Sequence, residues 1–232
     1  MKKPISQIAS SLFLLSLAAQ GASAQGVYGV DSGVTSLSLD AAAVAGLGYT
    51  VTGSSGTVSA QGGHQFGFDI LSELSDFIFT IEEDTSATVQ GGILSHSGWI
   101  ELDNDGDPGT GIITLGNFEI GVDPARASDT VSGAFIRDTL GTNSIVFDIK
   151  PLSPTEINPV SDGGTFTLQS SDLLIAPELY VLLGSPDGIA AGDFLGSIRI
   201  DAKTSRIDPV PEPSTGLLAI LGGAVIFLRR RR

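Results

Sequence analysis

Between Gly26 and Asp208 the chain sustains no long amphipathic helical pattern; short apolar or alternating runs recur instead, each closed by Gly, Asp, Ser, Asn or Pro. This patterning restricts the fold more than any other feature, because alternation suits a half-buried strand and does not produce a helical stripe. The runs are Leu47 to Val51, Phe66 to Ile70, Phe77 to Ile81, Trp99 to Leu102, Ile112 to Val122, Val131 to Ile136, Ile145 to Ile149, Phe166 to Leu168 and Phe194 to Ile200. Ile145-Val146-Phe147-Asp148-Ile149 has the β-branched and aromatic content of a strand. Turn residues at roughly ten-residue spacing predict an all-β fold, a single β-sandwich-like domain. One stretch departs from the pattern. Ser171 to Gly184 opens on capping residues and closes on glycine, which predicts one short helix, kinked at or beginning near Pro177.

The two ends are read separately from this body. Lys2 and Lys3 precede an apolar run from Ile8 to Ala19, and Ala22-Ser23-Ala24 follows as a small-x-small cleavage site. Charge, apolar run and small residues in that order predict a secretory signal peptide over 1–24, cut by signal peptidase between Ala24 and Gln25. The apolar run is short against the ~30 Å of hydrocarbon that a membrane span must cross. At the other end, Pro211-Glu212-Pro213 interrupts regular structure. An apolar segment, 214–228, follows and is predicted to be a hydrophobic transmembrane helix, about 22 Å long at 1.5 Å per residue. The cluster Arg229, Arg230, Arg231 and Arg232 closes the sequence, and the positive-inside rule predicts that it stays cytoplasmic. The predicted division is therefore signal peptide 1–24, β-rich extracellular domain 25–208 and tail 209–232.

A Pro-Glu-Pro triplet, a short hydrophobic helix and a terminal basic cluster resemble the PEP-CTERM sorting signal, and Pro211, Glu212 and Pro213 supply the triplet here. The resemblance covers the tail alone. It implies a Gram-negative type of bacterium that makes exopolysaccharide, and an exosortase that cuts near the triplet. The protein would then be held only transiently in the inner membrane before passing to the cell surface or extracellular matrix.

Charge and composition narrow the remaining possibilities. Residues 31–212 hold all 26 acidic residues and only six basic ones, a net of −20. Such a body repels nucleic acid and anionic lipid and attracts divalent cations. The chain has no cysteine, so neither disulfides nor thiolate chemistry contributes. Asp103, Asp105 and Asp107 alternate through a turn-rich loop, a pattern that can bring several oxygens onto Ca²⁺. The segment resembles the first half of an EF-hand loop, but Pro108 stands where the loop needs glycine and Thr114 where it needs a bidentate glutamate. The alternative is a solvated acidic turn built from good turn formers.

Signals for catalysis are absent. The two histidines, His64 and His96, lack metal-ligand spacing, and neither a Gly-x-Ser-x-Gly elbow nor a His-Glu-x-x-His motif occurs. His96, near Trp99, is read as an exposed or half-buried strand residue. Trp99, Tyr28, Tyr49 and Tyr180 are read as core rather than as a sugar platform. Thr88 to Gly98 followed by Thr114 to Ile120 has a glycine-rich patterning similar to that of some haem-binding surface modules; such strands report sheet architecture, and no family is assigned from them.

The sequence therefore predicts a non-catalytic structural or interaction protein of the cell surface or biofilm matrix, with exopolysaccharide as a candidate partner. Two alternatives stand beside it: a Ca²⁺-dependent carbohydrate-binding module, and a secreted glycan hydrolase using paired carboxylates.

Overall fold

The computed structural model describes residues 26–82, 86–107, 110–150, 153–160 and 163–207. The segment predicted to be a signal peptide, with its predicted cleavage residues Ala22, Ala24 and Gln25, and the tail from the Pro-Glu-Pro triplet to the arginine cluster lie outside the described residues. Three long antiparallel strands form the spine. They are β1 (Gly26–Leu39), β13 (Gly163–Ile175) and β14 (Phe194–Arg206), with β14 in the middle. β1 pairs with β14 from Tyr28–Arg206 to Leu39–Gly196, and β13 pairs with β14 from Gly164–Thr204 to Leu174–Phe194. Alternate residues of β14, Ile198, Ile200, Ala202 and Thr204, are buried, as a strand with one face on a core requires.

Shorter strands extend the spine on both sides. β4 (Ile78–Glu82) and β3 (Phe66–Asp69) pair with the first and second halves of β1, and β5 (Ser86–Gly91) pairs with β4. On the other side β11 (Ile145–Ile149), β10 (Ala134–Arg137), β9 (Glu119–Val122) and β6 (Ile93–Ser95) follow β13 in that order. β12 (Ser153–Val160) lies on the edge of β13, where Pro154 and Pro159, which lack an N–H, are tolerated. A second sheet of β2 (Thr50–Ser55), β7 (Trp99–Asp103) and β8 (Ile112–Gly116) buries Ile100, Leu102 and Leu115 in the same core as the large sheet. Two sheets over one core agree with the all-β, sandwich-like expectation.

The large sheet curls until its two edges meet. β5 and β6 are opposite edges, yet only Gly92 separates them in the chain. Gly92 has φ +89, and a Cβ there would lie 2.2 Å from the Asp76 carbonyl oxygen. The sharp transfer between edges therefore requires glycine.

The structure alters several details of the expected fold. Of the two alternatives for Ser171 to Gly184, the helix beginning near Pro177 is the one found, and Ser171 to Ile175 is strand, with Leu173 to Ile175 pairing with Ile149 to Phe147 of β11. Leu173, Leu174, Ile175 and Ala176 are all buried, and a continuous apolar run cannot be told from a buried helix by periodicity. The helix there, Pro177–Leu182, is not alone: Ala41–Gly46 forms another, capped by the Asp40 carboxylate on the Ala43 N–H, and 3-10 turns occupy Ser72–Leu74 and Pro124–Arg126. In chain order the two α-helices are α1 and α2. The run Ile112 to Val122 is two strands in different sheets, broken at Asn117, whose φ of 44° turns the corner.

Two of the buried polar groups have fully paired side chains that tie strands together. His96 is 2% exposed, against the exposed or half-buried position that the sequence predicts. Its Nδ1 lies 2.9 Å from the Phe118 carbonyl, so that nitrogen carries the proton, and Nε2 accepts from the Thr35 hydroxyl at 2.8 Å. The ring thus pins β1 to the β8–β9 corner. Asp138 is also buried; its carboxylate accepts from the backbone N–H groups of Gly116, Leu140, Gly141 and Thr142. Burial pushes its carboxyl up, but the N–H groups of Gly116, Thr142 and Gly141 outweigh this and hold it below the usual carboxylate range.

These groups give two stability predictions. Asp138→Ala should lower the unfolding free energy by about 3 kcal/mol in urea titration, since it strands several backbone donors. Burial also lowers His96 from 6.5 to about 4, against the upward pull of the carbonyls. A depressed histidine contributes stability that is complete above the unfolded value of about 6.5 and lost as pH falls towards the folded one. The protein should therefore lose about 3 kcal/mol between pH 7 and pH 4, and His96→Gln should flatten that slope in unfolding curves taken at each pH.

Candidate functional site

The predicted calcium ligands lie on the β7–β8 hairpin. Asp103 ends β7, and its Oδ1 accepts from the backbone N–H of Asp105 and of Gly106, both at 3.0 Å. Those two bonds hold its carboxyl below the ordinary value. Asp105 accepts from the Asp107 N–H at 2.9 Å through Oδ1 and from the Thr110 hydroxyl at 2.9 Å through Oδ2. The first two carboxylates therefore shape the turn itself. Among the described residues no group of three His, Asp or Glu side chains stands ready for a metal ion, and Pro108 and Gly109 lie outside them. These carboxylate hydrogen bonds fall on Asp103 Oδ1 and on both oxygens of Asp105.

A second polar constellation went unseen in the sequence. Arg126, in the 3-10 turn after β9, donates to both oxygens of Asp148 on β11 at 2.9 and 3.0 Å. It also donates to both oxygens of Glu178, in the first turn of α2, at 2.6 and 3.0 Å. The guanidinium forks both carboxylates at once. Glu178 is lowered chiefly by its hydrogen bond to Arg126, and Arg126 is raised by Glu178 and then Asp148. With its donors engaged on two carboxylates, the group locks α2 to β11 and offers no base or nucleophile. No spacing in the sequence could have announced it, because the three residues come from separate elements.

On the outer face of the spine a groove of about 340 Å³ runs across β1, β14 and β13, with Ser32, Gln61, Thr165, Thr167, Asp201 and Lys203 in its wall. Arg199 donates to both oxygens of Asp201 at 2.7 Å, and Thr167 Oγ1 donates to Oδ1 at 2.8 Å. Burial pushes the Asp201 carboxyl up, but Arg199 and Thr167, with His64 nearby, outweigh it and keep the group charged. Amide, hydroxyl and carboxylate groups in one shallow groove can exchange hydrogen bonds with a polar ligand.

No helix among the described residues is long and apolar enough to cross a membrane. No curated protein matches the chain in sequence. Among solved structures, the C-terminal domain of HtaA from Corynebacterium glutamicum is similar at 14% identity, with a TM-score of 0.45, covering 77% of this chain and 99% of that one. Residues 209–232 match the model of the PEP-CTERM protein-sorting motif. The tail is a PEP-CTERM sorting signal, and such a signal implies export, transient membrane retention and processing by an exosortase on the way to the cell surface.

Proposed function

We propose that the protein is a non-catalytic interaction protein of the cell surface or biofilm matrix, delivered by its tail and acting through the face of its β domain. The observation that carries this reading is the sorting motif at 209–232 joined to an all-β body with no cysteine. The partner chemistry follows from charge. A body with 26 acidic and six basic residues between 31 and 212 repels polyanions, so a neutral polysaccharide suits it better than a uronic-acid polymer. The groove lined by Gln61, Thr165, Thr167 and Asp201 supplies hydrogen-bonding groups of the type sugar hydroxyls take. Intact-mass measurement of protein from surface and culture fractions tests the delivery. The expected chain begins at Gln25 and ends between Pro211 and Ser214, with or without added glycan mass. A chain retaining Arg229 to Arg232 in the inner membrane would sink the reading.

A calcium-dependent variant of this function rests on the clustering of Asp103, Asp105 and Asp107 in one hairpin. It predicts that millimolar Ca²⁺ raises the melting temperature and that Asp105→Ala removes the rise. An unchanged melting curve in the wild-type protein would exclude it.

A further inference from the structure

Inside the curl of the large sheet lies a cavity of about 310 Å³. Its walls are apolar, from Phe77, Leu94, Ile120, Ala134, Leu168 and Ile200, all buried. The one polar lining residue, Ser132, donates its hydroxyl to the Ile149 carbonyl at 2.6 Å and accepts from the Ala134 N–H at 3.1 Å. Nothing in the wall therefore asks for water. Protein interiors rarely leave voids larger than a water molecule. An apolar cavity of about 150 Å³ stays dry and takes up benzene, so twice that volume suits roughly ten to twelve carbons.

The cavity also has a way in. Val89 on β5, Val122 at the end of β9 and Ser132 before β10 are the half-buried members of the lining, so they mark the mouth. They stand at the seam where the edges of the sheet meet. β5 and β9 approach within 8 Å there, yet among the described residues β5 pairs only with β4, and β9 only with β6 and β10. An opening at this seam separates side chains and breaks no ladder hydrogen bond.

We propose that this cavity is a binding site for one alkyl chain of about ten carbons, entering between β5 and β9. The chain belongs either to a small free amphiphile or to a membrane lipid; the wall recognises the hydrocarbon in both. This ligand is independent of the polysaccharide reading, and the groove on the outer face of the spine has no part in it.

Photo-crosslinking tests the proposal on the full chain as exported, in whichever fraction holds it. One arm uses decanoic acid bearing a diazirine. The other uses phosphatidylcholine vesicles whose acyl chain carries the same group. Crosslinks are expected in peptides containing Phe77, Leu94, Leu168 or Ile200, from decanoic acid alone if the ligand is a free amphiphile and from both probes if it is a lipid chain. Ala134→Leu fills the cavity and Val122→Phe blocks its mouth, and each should cut those crosslinks by about tenfold, the equivalent of 1.4 kcal/mol. Ala134→Leu should also raise the melting temperature, because it fills empty space rather than overpacking a full core. The proposal is overturned if crosslinks fall only outside the lining, if neither probe labels the body, if both variants leave the labelling unchanged, or if Ala134→Leu lowers the melting temperature.

Discussion

Everything else in the fold hangs on the backbone ladder between β1, β14 and β13. Its three strands are 13 or 14 residues long, against five or six for a common strand, and β14 is paired along both edges. The chain has no cysteine to close loops, so this paired spine carries the long-range order that disulfides supply in many exported domains. The close approach has a sequence requirement at two points. A Cβ at Gly196 would sit 2.0 Å from the Ser38 carbonyl oxygen, and one at Gly33 would sit 2.3 Å from that of Asp201. Both glycines lie in the β1–β14 pair, and a side chain at either would force the strands apart.

The same ladder explains which parts of the fold were legible. β7 and β11 showed plainly: Trp99 to Asp103 alternates with one face on the core, and Ile145 to Ile149 is rich in β-branched and aromatic residues although Val146 to Ile149 are buried on both faces. β1 did not show, although it is the longest strand. A bulge between Val30 and Ser32 shifts its register, so the buried positions are Tyr28 and Val30 before it and Thr35, Leu37 and Leu39 after it. A one-residue shift exchanges the two faces, and the alternation that would mark a strand cancels across the bulge. The end of β13 failed for the opposite reason. Leu173 to Ala176 are buried without alternation, and only their pairing with β11 decides between strand and helix.

Site residues were less legible than strands because one residue type serves two purposes. Aspartate at 103, 105 and 107 is what a cation loop needs and also what a tight turn needs, and here Asp103 and Asp105 bond the turn's own N–H and hydroxyl groups. His96 was misjudged because its burial comes from Thr35, 61 residues away, and from the Phe118 carbonyl across the corner. No local pattern encodes either contact. The tail is the reverse case: its triplet, apolar segment and arginines are contiguous, so sequence alone identifies it.

Charge ties the body to its destination. Among the described residues Arg126 pairs with Asp148 and Glu178, Arg137 with Glu119, Lys150 with Asp172, and Arg199 with Asp201. These pairs settle carboxylates that the fold brings close to its core or across its strands, and they leave most of the remaining acids facing solvent. Only the Arg126–Asp148 pair is well buried; the others are part-exposed links between neighbouring elements, and the surface as a whole stays strongly negative. A surface of this kind keeps copies of the protein apart and soluble after release. It also repels polyanions at long range, and the proposed recognition of a neutral partner would act at short range, through directed hydrogen bonds or apolar contact. The spine groove offers the first of these and the cavity beneath the β5–β9 seam the second, on opposite faces of the same curled sheet.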